Sequence, residues 1–200
     1  SFIYNGQKIT VNGFLIGKTE ITQNQFARVM GYNPSWFVGR KTETLPVEDA
    51  NWYESVEFCN RLSLRDGLQP VYTISGSGSG QRATIDYSKN GWRLPTVAEW
   101  IFAAKGGNTS RNFRYAGSDN VEEVAWYAQV GFGLAHVGTT HPVAAKAPNE
   151  LGLYDKRLFG GLSQRDRQPH RSGHRLATGN HGRRLVPYRL LVRTGRESGF

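Results

Sequence analysis

Asn90–Gly107, N-G-W-R-L-P-T-V-A-E-W-I-F-A-A-K-G-G, constrains the fold more than any other stretch of the chain. Gly91-Trp92-Arg93-Leu94 reads as extended backbone, and Pro95 excludes helical geometry at Leu94. Thr96 is placed to cap a helix with its hydroxyl. Glu99, three residues on, is placed to reach back to the Thr96 amide as a capping box. Trp100, Ile101 and Ala104 then recur at helical spacing, and Gly106 stands where a left-handed residue ends a helix. The spacing therefore predicts a strand delivered straight into a capped helix, with Arg93 paired to Glu99 or to another core carboxylate.

The remaining chain gives the same kind of reading. Ser1–Lys18 predicts a hairpin with its turn at Asn5-Gly6, followed by a buried strand at Phe14-Leu15-Ile16. Thr22 with Gln25 forms a capping box for a helix carrying Phe26, Val29 and Met30, stopped by Gly31. Asn33-Pro34-Ser35-Trp36-Phe37 is a turn expected to press Trp36 or Phe37 onto the core. Asn51 with Glu54 caps a further helix running to about Asp66. Val71–Ile74 and Arg82–Asp86 pair around the Gly/Ser loop 75–80, which lacks the lysine and following helix of a phosphate cradle. Gly106–Asn120 reads as polar loop, and Val121–Tyr127 and His136–Val143 show no clear period. The sum is a single α+β domain over residues 1–200, with short helices, short strands and much irregular chain.

Composition excludes several classes. No run approaches the eighteen apolar residues of a membrane span. The start at Ser1, without a methionine or a signal-like segment, reads as an excised domain or fragment. Cys59 is the one cysteine, which excludes an internal disulfide framework and a multi-thiolate metal site. Its spacing with Val56 and Leu62 marks it as a small buried hydrophobe. The net charge of +9 is local: residues 1–155 hold 14 basic and 14 acidic side chains, whereas residues 156–200 hold 11 basic against Asp166 and Glu197.

Trp92-Arg93-Leu94-Pro95-Thr96, with Ala98-Glu99-Trp100 and Ala103-Ala104-Lys105-Gly106-Gly107, resembles the signature of the formylglycine-generating enzyme (sulfatase-modifying factor) family. Three other blocks resemble the family's motifs in the family's order. They are Lys18-Thr19-Glu20-Ile21-Thr22; Leu45-Pro46-Val47-Glu48 through Trp52 to Phe58-Cys59-Asn60-Arg61-Leu62; and Val124-Ala125-Trp126-Tyr127 with His141-Pro142-Val143 and Pro148–Asp155. The resemblance covers about Gly13 to Asp155 and implies a C-type-lectin-like fold with long ordered loops, a fold shared by the variable proteins of diversity-generating retroelements. It also implies a bacterial protein of the cell envelope or the extracellular space.

The resemblance implies an oxidase that converts a sulfatase cysteine to formylglycine using copper held by two C-terminal cysteines. Soft thiolates suit monovalent copper, but no cysteine follows Cys59. The family's calcium implies an asparagine where this chain has Val124, which offers no oxygen to a hard cation. The family's "G-L-Y-D-M-S-G-N-V-W-E-W" begins at Gly152-Leu153-Tyr154-Asp155 and is then replaced by Lys156-Arg157-Leu158-Phe159. Of the family's closing "G-F-R" strand, only Gly199-Phe200 is an echo. No catalytic, cofactor-binding or metal-ligating residue is therefore assigned, copper and calcium included, and no ligand-binding residue is legible.

Other constellations read as structural. His136 and His141 lack a third ligand at useful spacing, and Glu122-Glu123 reads as a solvated face. Arg165, Arg167, Arg171, Arg175, Arg183, Arg184, Arg189, Arg193 and Arg196 suggest a phosphate-binding arm, yet Tyr188 and Phe200 alone are nearby to stack a base. A frame slip is the preferred account of the tail. GAT ATG AGC GGC (Asp-Met-Ser-Gly) becomes GAT AAG CGG C on loss of two bases, which encodes Asp155-Lys156-Arg157. The expected tail is atypical and loosely packed, leaving Trp92, Trp100 and Trp126 partly uncovered. Three functions stay open: a pseudoenzyme that binds a protein or glycan ligand, an oxidase whose catalytic part is lost or misread, and a nucleic-acid binder. The first is preferred.

Overall fold

The computed structural model describes residues 1–4, 6–38, 42–126, 140–155 and 191–193. Strand β1 (Phe2–Tyr4) pairs antiparallel with β2 (Gln7–Ile9), with Phe2 opposite Ile9; of the expected Asn5-Gly6 turn, Asn5 lies outside the described residues. Gly6 takes a φ of 76°, the left-handed conformation such a turn demands. Strand β3 (Leu15–Ile16) follows. It is not a buried strand as expected, because Leu15 is 47% exposed.

Helix α1 (Gln23–Met30) carries the predicted capping box at Thr22 and Gln25 and ends on Gly31 in the left-handed region. Helix α2 (Trp52–Arg65) is capped the same way by Asn51 and Glu54. Phe26 and Met30 of α1 pack against Val56, Phe58 and Cys59 of α2, with Val47, Leu94 and Leu191 completing the cluster. The Phe26 and Phe58 rings stack at 5.1 Å with 3° between their planes. Strands β4 (Tyr72–Ser75) and β5 (Arg82–Ile85) form the second expected hairpin, and Tyr72 also borders the core.

Loop backbone is kept satisfied by buried polar side chains, as burial requires. Gln23 is fully buried; its Nε2 donates to Phe37 O at 3.0 Å and its Oε1 accepts from Asn33 Nδ2 at 3.1 Å. Glu48, also buried, accepts from Phe37 N at 2.7 Å. These bonds orient the 33–38 turn so that Phe37 is half-buried while Trp36 is 66% exposed. Of the two rings expected against the core, Trp36 faces outward.

Helix α3 (Val97–Ala104) begins at the predicted Thr96–Glu99 box and is followed by Gly106 at a φ of 86°. Arg93 and Glu99 form a buried, forked ion pair: Nη1 donates to Oε2 at 2.7 Å and Nη2 to Oε1 at 2.5 Å. Oε2 also accepts from Thr96 N and Thr96 Oγ1. The approach of this segment to α2 depends on Gly91, where a Cβ would meet Gln69 O at 2.2 Å and Ser63 Oγ at 2.6 Å. A short helix α4 (Val121–Val124), capped by Asn120, lies in a stretch the periodicity left unassigned; four residues are too few to show a period.

The tail expectation needs one correction. Strand β6 (Val192–Arg193) pairs antiparallel with β3, and Val192 also bridges Arg93 on its other side. Leu191 and Val192 are buried, so these residues are a closing core strand rather than loose chain. Gly199-Phe200, read as the echo of that strand, and the remainder of the tail lie outside the described residues. Trp92 and Trp100 are half-buried and Trp126 is 44% exposed.

Burial alone would raise the Glu99 carboxyl, but its bonds to Arg93 and Thr96 outweigh burial and hold it below the usual carboxylate range. The stability this contributes is full above the unfolded glutamate pKa of about 4.3 and is lost as pH falls through the lower folded value. Glu99→Gln leaves Arg93 a buried cation without its partner. It should cost about 3–5 kcal/mol in urea unfolding at pH 7, with the difference from the unmodified chain shrinking below pH 4.3, roughly the unfolded glutamate value.

Candidate functional site

The resemblance implies metal and thiol chemistry. Cys59 lies inside α2, fully buried, and burial pushes its thiol well above the usual cysteine range. Its sequence offers no second cysteine, so the donor set does not fit a copper ion held by two thiolates. Val124 is 2% exposed with an apolar side chain, which leaves the expected calcium position without an oxygen donor there. Among the described residues, no three His, Cys, Asp or Glu side chains come together to hold a metal ion.

What the fold does build is an aromatic platform after α4. The Asn120 side chain accepts from Glu122 N at 3.1 Å and starts the helical turn. Val124 and Ala125 point inward, and Trp126 is carried to the surface. His141 stacks on Trp126 with ring centroids 3.9 Å apart and 15° between planes. Lys146 Nζ stands 4.0 Å from the indole centroid and donates to Glu122 O at 2.6 Å. A cation over an indole and an imidazole parallel to it fix the ring's orientation while nearly half of its surface stays open.

The segment carrying His141 and Lys146 is tied down at both ends. Val143 N donates to Thr44 O and Ala147 N to Glu123 O, each at 2.8 Å. Ala144 adopts a φ of 58°, a costly conformation for alanine, and its amide donates to Asp155 Oδ2 at 2.9 Å. His141 thus has a positional role that its spacing did not reveal. His136 lies outside the described residues. Glu123 lies on the exposed face expected of it, accepting from Ser118 Oγ at 2.7 Å.

Asn149 secures the next turn, and sequence reasoning passed over it as one letter of a motif. Its Nδ2 donates to Ala103 O and Ala104 O at the end of α3, and its Oδ1 accepts from Leu151 N and Leu153 N. The signal available was an asparagine three residues before Gly152, which sits at a φ of 71°. Beside the same turn, a cleft of about 350 Å³ is lined by Phe14, Ile16, Phe102 and Leu151, with Asn12 and Asn108 as polar neighbours.

Of the tail arginines read as a phosphate-binding arm, Arg193 alone falls among the described residues. Its guanidinium carbon lies 5.6 Å from the Trp92 ring centroid, and Nε is buried. That places Arg193 as a cover over Trp92, whose Nε1 donates to Asp66 Oδ2 at 2.7 Å.

The elements and the α3 junction define an α+β domain of C-type-lectin-like type, and sequence comparison gives its family. The family model described as the sulfatase-modifying factor enzyme 1-like domain matches residues 4–164, and the chain belongs to that family. It is 40% identical over 175 residues to a protein of Paenibacillus barcinonensis named chaperone protein LppX, covering 76% of this chain and 61% of that protein. Among solved structures it resembles Treponema denticola variable protein 1, with a TM-score of 0.60 and 36% identity over 70% of this chain and 58% of that one. It also resembles CarF, with a TM-score of 0.57 and 32% identity over 72% and 64%. The chain thus spans about six-tenths of the length of these relatives. No helix among the described residues is long and apolar enough to cross a membrane.

Asn149→Ala removes the side-chain donor of the Ala104 carbonyl and the acceptor of two loop amides in a buried position, while Ala103 O keeps its bond from Gly106 N. It should lower stability by about 1–3 kcal/mol, read as a shift of the urea midpoint, and should raise amide exchange at Leu151 and Leu153 ahead of the α1–α2 core.

Proposed function

We propose that this domain is a non-catalytic member of its family, a pseudoenzyme that binds a protein or glycan partner on a lectin-like scaffold. The observation that carries the reading is the fate of its thiol. The one cysteine of the sequence is a fully buried core side chain of α2, so neither a thiolate pair for copper nor an accessible thiol is available. Two relatives, one named a chaperone protein and the other a variable protein, favour partner recognition over turnover.

Trp126 is the contact residue this reading selects. Large rings held rigid at a surface lose little entropy on binding and supply much of the energy at recognition sites. With His141 stacked on the indole and Lys146 over it, the open part of the ring is its edge, which suits the apolar side chains of proteins and the C–H surface of a sugar. Lys146 beside it adds a cation that favours partners with acidic groups.

The test pairs two readouts on the same chain. Incubated with copper and a cysteine-containing sulfatase peptide, the chain should leave the peptide mass unchanged; conversion of its cysteine to formylglycine would overturn the reading. On an array of bacterial glycans and envelope proteins, any specific signal should fall at least tenfold in Trp126→Ala. An array signal unaffected by that change would remove Trp126 from the site. Trp126→Ala should keep the unfolding free energy of the unmodified chain to within about 1 kcal/mol, since the ring does not belong to the α1–α2 core.

A further inference from the structure

The pairing of β3 with β6 fixes which way the β3 backbone faces. Val192 spends its N–H and its C=O on Arg93, each bond at 2.8 Å. Ile16 stands opposite Val192, so it receives neither group and turns its own N–H and C=O away from β6. Gly17 N donates to Leu191 O at 3.0 Å, which keeps the alternation. Lys18, two residues beyond Ile16, faces outward again, and there its carbonyl accepts from Tyr154 N at 2.8 Å. Ile16, and Phe14 two residues before it, make no outward backbone bond among the described residues. The outer edge of β3 thus takes a main-chain donor at one end and stands open over the preceding stretch.

That open stretch borders the cleft of about 350 Å³. Phe14 and Ile16 line it from the strand, Phe102 from α3 and Leu151 from the turn after Asn149. Phe14 and Phe2 both lie against the Phe102 ring, with centroids 6.4 and 5.5 Å away. The carboxamides of Asn12 and Asn108, both exposed, border the same cleft and make no hydrogen bond among the described residues. None of the described lining residues carries a charged side chain.

We propose that this edge and cleft form a docking site for an extended polypeptide segment of a partner protein. The segment adds a strand to β3 and seats one apolar side chain between Phe14, Phe102 and Leu151. Main-chain donors and acceptors left open two residues apart match the repeat of another strand, whose backbone supplies both kinds of group. Lys18 shows that this edge accepts a main-chain donor, since Tyr154 already provides one there. Sugar hydroxyls carry no such repeat, and the uncharged lining offers an ionic ligand no counter-charge. The cleft is at the small end of ligand cavities, which run from about 300 to 1,000 Å³, and so suits a side chain better than a large free molecule. Asn12 and Asn108 can both donate to and accept from the peptide groups flanking that side chain. The site shares no residue with the Trp126 platform and stands or falls apart from it.

The probe is the blocked peptide acetyl-Thr-Leu-Thr-Leu-Thr-amide, titrated into the isotope-labelled full chain. The amide resonances of Phe14 and Ile16 should shift saturably with peptide concentration. Two further peptides, N-methylated on the Leu residues or on the Thr residues, read the register. One should bind about tenfold more weakly, because its methyl groups face β3, while the other keeps the affinity of the parent peptide. Ile16→Pro removes an N–H that faces away from β6, a position where an edge strand tolerates proline. It should weaken the parent peptide by about tenfold and leave the Val192 amide protected. The methylated pair needs no variant and decides the matter if Ile16→Pro fails to fold. No shift at Phe14 and Ile16 up to the solubility of the peptide, or equal affinity of the two methylated forms, would overturn the proposal. So would N-acetyl-leucine amide binding as tightly as the pentapeptide, which would make the cleft a site for small apolar solutes only.

Discussion

The structure turns on one residue that is held from three directions. Arg93 pairs its backbone with Val192, forks its guanidinium onto Glu99, and donates a further bond to Leu94 O at 3.2 Å. Glu99 in turn caps α3 through Thr96. A buried ion pair is weak evidence of stability by itself, because desolvation offsets much of the attraction. Its value here is positional. The same carboxylate neutralises Arg93 and starts the helix, so the strand, the helix and the chain terminus are fixed relative to one another by a single satisfied network. An apolar pair of the same volume would fill the space without specifying that junction.

How much of this was legible in the sequence follows from the range over which each feature is encoded. The three capping boxes at Thr22, Asn51 and Thr96 are written in four consecutive residues and were read directly. Cys59 and the Arg93–Glu99 pair were legible for the same reason, one from helical spacing and the other from proximity. Contacts closed across tens of residues were not. Nothing in the sequence says that Asn149 reaches Ala103, that Glu48 holds Phe37, or that His141 lies on Trp126. These are loop-to-body contacts, and a loop-rich fold depends on them where a bundle depends on periodic faces. The candidate site is made of such contacts, which is why it was less legible than the fold.

The same distinction separates scaffold from chemistry. The architecture described for this chain depends on main-chain caps, glycine turns and a few buried polar side chains. Metal chemistry depends on particular donor atoms at particular places, and losing one thiolate costs little in folding. Scaffold and catalysis are therefore under separable physical constraints. A chain can keep the first at 32–40% identity to its relatives while its sole thiol serves as core packing. The Trp126 platform belongs to the scaffold side: indole, imidazole and ammonium order one another without a cofactor.

Strand β6 carries the distinction to its limit. The charge pattern changes sharply after Asp155, and yet residues 191–193 complete the sheet. All but one of the contacts holding the strand in place are backbone bonds or buried apolar area, which many sequences supply. The remaining one, a guanidinium on Trp92, is readily supplied by a segment rich in arginine. Closure therefore constrains conformation and polarity far more than it constrains lineage. A tail altered in composition from residue 156 onward meets the core's requirement as long as one short extended apolar segment ending in a cation lies within reach of β3 and Arg93.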